Sequence, residues 1–213
     1  MLHGNSLDTL FVIKDTTSRR ASSADPEGTN KDYIEILPGR TVPLLQANGA
    51  GIIRHIWCTL SCHGENPLTA HVLRMYWDGE EHPSVEVPLG DFFGIGGGVH
   101  KNFQSEPLQM CPQDGRAFNC FFPMPFEKGA RITVENETDS ETKFYFYIDY
   151  ETMDSLPAGC ARFHAQWRRM ARSGGANLCG PDALQERSLR AGVDRPEKWP
   201  KLWDLVNIAG EEN

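Results

Sequence analysis

Residues 52–60 read IIRHIWCTL, two interleaved sets of side chains: Ile52, Arg54, Ile56, Cys58 and Leu60 alternate with Ile53, His55, Trp57 and Thr59. A period of two marks a β-strand, and apolar groups in both sets predict a central strand covered on both faces. Downstream, residues 72–78 (VLRMYWD) have the same character. The Asp78-Gly79 pair that follows offers the positive-φ residue of a tight turn, so a strand should return through residues 85–87. Residues 131–135 place Ile132 and Val134 on one side and polar neighbours on the other. A charged turn over 136–141 then leads into residues 143–150 (KFYFYIDY), predicting a further hairpin. The connections at 90–104 and 106–116 exceed ordinary hairpin loops and are candidate binding surface. Short strands joined by hairpins and long crossovers predict a mostly β, two-sheet sandwich, with a jelly roll as the leading topology and an immunoglobulin-like sandwich as the alternative. Residues 163–169 fit either a helical or a strand period, and strand is preferred. From residue 171 the composition turns to Gly, Pro, Arg and charge with no sustained period, which predicts a linker. The expected organisation is a domain over residues 1–170 and a linker or lead-in over 171–213.

The chain has 213 residues, enough for one large β domain or one domain and part of a second. Hydrophobic residues make up 39% and charged residues 23%, which excludes disordered and collagen-like classes. Twenty-one basic against 29 acidic residues give a net charge of −8, unfavourable for a phosphate backbone, so nucleic acid is not an expected partner. No apolar run reaches the ~18 residues of a membrane span, and no secretory leader is evident; a cytoplasmic chain with free, mostly buried thiols is expected.

Five patterns bear on function. The glycines of GIGGG at 94–98 lack the Lys-Ser/Thr of a phosphate loop and the strand–helix context of a dinucleotide fingerprint. They read as a loop permitting close backbone approach. Cys58, Cys62 and His63 have no second pair at zinc-site spacing, so neither a metal nor a cofactor is expected. The loop SSADPEGTNKD at 22–32 gathers Asp25, Asn30 and Asp32 around a turn, either to satisfy its own backbone or to meet sugar hydroxyls. In GDFFG at 90–94, Asp91 stands beside two rings, an arrangement that suits a saccharide and equally suits core packing. Asn136-Glu137-Thr138 matches a glycosylation sequon and is assigned to its turn. The chain's 29 acids show no spacing that singles out the carboxyl pair a glycosidase needs.

Six longer words carry a resemblance: SRRASSADPEGTNKDYIEILPG at 18–39, GIIRHIWCTL at 51–60, LRMYWDGEEHPSVEVPLGDFFG at 73–94, NCFFPMPFEKGARITVENE at 119–137, YFYIDYE at 145–151 and RFHAQWRR at 162–169. In this order they resemble the family known as domain of unknown function 2961, or glycoside hydrolase family 172. The resemblance implies a protomer of two jelly rolls, assembled as trimers or larger homo-oligomers. It also implies retaining cleavage or transfer of furanosides such as difructose anhydrides and D-arabinofuranosides. Two glutamates carry that chemistry in words resembling Gly-Glu-Gly-Asp and Gly-Thr-Gly-Thr-Glu-Asp of the second jelly roll, and neither word occurs here. No catalytic residue is therefore transferred. The last residues, NIAGEEN at 207–213, resemble the lead-in to that second domain, so an N-terminal portion, inactive alone, is expected.

Asp25, Asn30, Asp32, Asp91 and His164 are the expected substrate-binding residues, His164 sharing the polar side of its strand with Gln166. A stand-alone sugar-binding or assembly module is the rival reading.

Overall fold

The computed structural model describes residues 12–171 and 185–194. In chain order the strands are β1 (Thr17–Ser22), β2 (Ile34–Ile36), β3 (Thr41–Asn48), β4 (Ala50–Cys62), β5 (His71–Trp77) and β6 (Val85–Pro88). A four-residue helix, α1 (Leu89–Phe92), and a 3₁₀ turn at Gly96–Gly98 follow. Then come β7 (Phe103–Gln104), β8 (Leu108–Met110), β9 (Phe118–Cys120), β10 (Met124–Phe126), β11 (Gly129–Asn136), β12 (Thr142–Met153), β13 (Arg162–Ala171) and β14 (Gln185–Asp194).

These strands form a β-sandwich. An eight-stranded sheet runs β1-β12-β4-β9-β8-β7, with β10 also on β4 and β2 also on β12; a six-stranded sheet runs β14-β13-β6-β5-β11-β3. Pairing is antiparallel apart from β13 with β6, which is parallel. Pro43 sits in β3, at the edge of its sheet, where a missing N–H costs no interior ladder bond.

One continuous core fills the space between the sheets. The inward sides of β4 and β12 supply Ile53, Ile56, Cys58, Phe144, Phe146 and Ile148; the facing sheet supplies Leu73, Met75, Trp77, Ile132 and Val134. Full burial of each such side chain contributes about 1.5–3 kcal/mol. Trp77 also donates its indole N–H to the Phe163 carbonyl at 2.7 Å, tying β5 to β13 without leaving a polar atom orphaned.

The sandwich, the strand at 163–169 and the return through 85–87 stand as expected. Four readings are corrected. First, β4 is covered on both faces only at its start, where neighbouring Ile52 and Ile53 are both buried; beyond that Ile56 and Cys58 are buried while His55, Trp57 and Thr59 are half-exposed. Trp57 gains its cover from a ring on the neighbouring strand, not from a second layer. Second, β11 and β12 do not form a hairpin. β11 pairs with β3 and β5, β12 with β4, β1 and β2, so the turn between them carries the chain from one sheet to the other. Third, the long connections contain β7 and β8, which with β9 just beyond them form a short meander on the edge of the larger sheet. Fourth, the stretch read as linker from residue 171 contains β14, paired with β13 along its length.

The sequon lies in the turn that crosses between the sheets. Asn136 is 0% exposed, its Nδ2 donating to the carbonyls of Ile36 and Ser140 and its Oδ1 accepting from the backbone N–H and hydroxyl of Thr138. A side chain so enclosed serves as the internal strut of the crossover and offers no acceptor to a glycosyltransferase.

Candidate functional site

Cross-strand register decides which side chains share the outward face of the eight-stranded sheet. Tyr147 stands opposite Trp57, Asp149 opposite His55, Arg20 opposite Asp149 and Asn119 opposite Trp57. Just past this row the pairing of β12 with β4 shifts between Asp149 and Tyr150, giving β4 one extra residue, Arg54. Such a bulge re-aims side chains, and both Arg54 and His55 end on the solvent side.

The result is a polar row across four strands. Arg20 grips Asp149 through two bonds, Nε to Oδ1 at 2.6 Å and Nη2 to Oδ2 at 3.1 Å. His55 lies between Asp149 Oδ2 and Asn119 Oδ1, each 3.3 Å from a ring nitrogen. Aromatic rings accompany the row: Trp57 and Tyr147 stack at 4.6 Å with 21° between planes, and His55 and Phe121 at 4.6 Å with 6°. The Arg20 guanidinium sits over the Tyr147 ring, 4.9 Å from its centroid. Beside the row, Glu151 accepts from Arg54 Nη2 at 2.8 Å and Nε at 3.0 Å.

Asp149 and Glu151 are two residues apart on one face of β12, about 7 Å along the strand, neighbouring carboxylates of the kind a glycosidase uses as a pair. Their electrostatics differ from such a pair. Burial pushes Asp149 upward, but bonds and charge from Arg20 and His55 outweigh it and hold the carboxyl below its ordinary value. Burial likewise opposes, and Arg54 with Lys14 overcomes, so that Glu151 is also lowered. A general acid needs a raised value. These two groups are ionised hydrogen-bond acceptors and ion-pair partners.

The 22–32 loop joins β1 to β2 on the same sheet. Its Asp25 carboxylate accepts from the Glu27 N–H at 2.9 Å, the Thr29 N–H at 2.6 Å, the Thr29 hydroxyl at 2.5 Å and the Lys31 N–H at 3.2 Å. The Thr29 hydroxyl and these backbone donors lower its value to about 2. Asp32 Oδ1 accepts from the Asp25 N–H at 2.9 Å, and Asn30 takes φ 68°, a left-handed position asparagine tolerates. Asp25 and Asp32 thus engage the loop's own backbone. A concavity of about 390 Å³ borders this knot, lined by Asp25, Pro26, Glu27, Thr29, Lys31 and Tyr33; Asn30 and Asp32 are not among its lining residues.

The structure brings Asp25, Asn30 and Asp32 together in one loop and leaves Asp91 and His164 on other elements. Asp91 lies in α1 and is 6% exposed. Its neighbours Phe92 and Phe93 are core rings, edge-on to each other at 5.0 Å, which decides between the two readings of GDFFG in favour of packing for the rings. His164 lies in β13 of the smaller sheet, outward between the buried Phe163 and Ala165. Of the thiols, Cys58 and Cys120 are buried and free, whereas Cys62, Cys111 and Cys160 are free but half-exposed; Cys179 lies outside the described residues.

The aromatic–polar row was not among the expected site residues. Its signal was present as the alternation His55, Trp57, Thr59 and Tyr145, Tyr147, Asp149, but nothing local places one set beside the other.

A two-sheet sandwich bearing an aromatic and hydrogen-bonding face is the architecture of many carbohydrate-active domains. Residues 6–164 match the family model of the GH172 first beta-sandwich domain, and the chain belongs to glycoside hydrolase family 172. No curated protein matches it at a significant level.

Proposed function

We propose that this chain is the N-terminal portion of a glycoside hydrolase that acts on furanosides of the difructose anhydride or D-arabinofuranoside type with retention, and that the reacting glutamates come from a second sandwich domain. The observation that carries this reading is the family membership over residues 6–164. The clamped state of Asp149 and Glu151 supports it, because neither has the raised carboxyl value of an acid catalyst. Assembly as a homotrimer or larger oligomer belongs to the same reading.

Purified residues 1–213, assayed with an aryl α-D-arabinofuranoside and with a difructose anhydride, should give no turnover above a mock preparation. Fusing a second sandwich domain that carries the two glutamate words should restore it. Turnover by 1–213 that disappears in Asp149→Asn or Glu151→Gln would overturn the assignment of catalysis to a second domain. Light scattering of the extended chain checks the assembly.

A further inference from the structure

We propose that the outward row on β1, β12, β4 and β9 is a saccharide-binding subsite, with Arg20, Asp149, His55, Asn119 and the Tyr147 hydroxyl meeting sugar hydroxyls and Phe121 covering C–H faces. Its sugar class, furanose, rests on the reading above; its location rests on geometry alone.

Three features point to a neutral polyol. First, both carboxylates of the face are paired, Asp149 with Arg20 and Glu151 with Arg54 and Lys14, which leaves one net positive charge, too weak a field to select a phosphate chain or an acidic peptide. Second, donors and acceptors remain in fixed positions. Two of the five N–H groups of Arg20 are spent on Asp149, and its side chain is 56% exposed, so further donors remain beside a carboxylate with acceptor capacity to spare. A hydroxyl, both donor and acceptor, fits that alternation. Third, Tyr147 and Phe121 are 37% and 42% exposed, among the few large hydrophobic side chains left in water in the described residues, and both stand beside the row. Their partners Trp57 and His55 hold the rings in place, so little side-chain freedom is lost on binding. Four strands span about 14 Å, the length of a two- or three-unit oligosaccharide.

The test uses the 1–213 chain and two probes, an α-1,5-linked D-arabinofuranotriose and cellotriose, titrated at millimolar concentrations by calorimetry. Phe121→Ala and Tyr147→Ala should each weaken arabinotriose binding about tenfold or more. Tyr76→Ala, on the outward face of the other sheet, should leave it unchanged. Circular dichroism checks that each variant is folded. Hydroxyl-radical footprinting of the unaltered chain supplies a second measurement: bound sugar should protect Tyr147 and Phe121. Absence of binding by both sugars, or binding that survives both ring deletions, overturns the subsite. So does protection that maps to Tyr33 at the loop concavity. Binding of cellotriose alone, abolished by Phe121→Ala, would uphold the subsite and sink its furanose assignment.

Discussion

Buried and knotted polar residues make the sharpest individual predictions. His71 is 0% exposed, with Nδ1 2.6 Å from the Pro67 carbonyl and Nε2 2.9 Å from the Thr142 hydroxyl. A carbonyl only accepts, so Nδ1 carries the proton and Nε2 takes the hydroxyl. Burial lowers its value from 6.5, the Pro67 carbonyl opposing. The folded chain therefore holds fewer protons than the unfolded chain as acid is added. The stability from neutral His71 is complete above the unfolded value and declines as pH falls below about 6.5. Urea midpoints between pH 7 and 5 should fall less steeply in His71→Asn than in the unaltered chain; equal slopes would refute this. For Asp25, the carboxyl carbon shift should titrate near 2; a midpoint at the ordinary 3.8 would show that the knot does not form in solution. Asn136→Ala leaves buried carbonyls and an N–H without partners and should cost at least about 2 kcal/mol in urea unfolding.

Elements depend on positions where backbone meets backbone. Gly51 opens the central strand word, and a Cβ there would lie 2.5 Å from the Glu151 carbonyl oxygen and 2.6 Å from the Phe126 ring. β4 is pinned between β10 and β12 at that point. Gly51→Ala should destabilise by about 1–3 kcal/mol through overpacking, read by thermal unfolding; an unchanged midpoint would mean the strands part freely there. Asp78 performs the corresponding task at the turn after β5. Its Oδ1 accepts from the N–H groups of Glu127 and Lys128 at 2.7 Å, and its Oδ2 from Arg162 Nε at 2.6 Å. Burial opposes, and these bonds prevail, in lowering its carboxyl value. Stability from Asp78 is present above the unfolded carboxyl range and disappears as pH falls through the lowered folded value. Asp78→Asn should thus flatten the acid limb of the stability curve, and an acid limb as steep as in the unaltered chain would remove Asp78 from the account. The same residues show why a turn signal was legible while its consequence was not. Asp78-Gly79 announces a reversal locally, but the three segments that its carboxylate joins are far apart in sequence.

At the scale of the whole molecule, the core is continuous between the two sheets, so urea unfolding followed by tryptophan fluorescence and by far-ultraviolet circular dichroism should give coincident transitions. Separated transitions would mean that the sheets melt independently. Alternation in 52–60 and 143–150, turn residues and composition were enough to define strands and a sandwich class, because those signals are local and repeat every two residues; the family was legible only in the longer words. Pairing partners were not determined locally. A strand pattern such as that of β11 is satisfied by a hairpin with β12 or by a place in the opposite sheet, and the buried Asn136 strut at the crossover decides between them. The loop of Asp25 could be read from its residue types because its bonds close within a few residues. The row of Arg20, Asp149, His55 and Asn119 could not, because strand pairing brings together groups up to 129 positions apart and a one-residue change of register would turn them into the core.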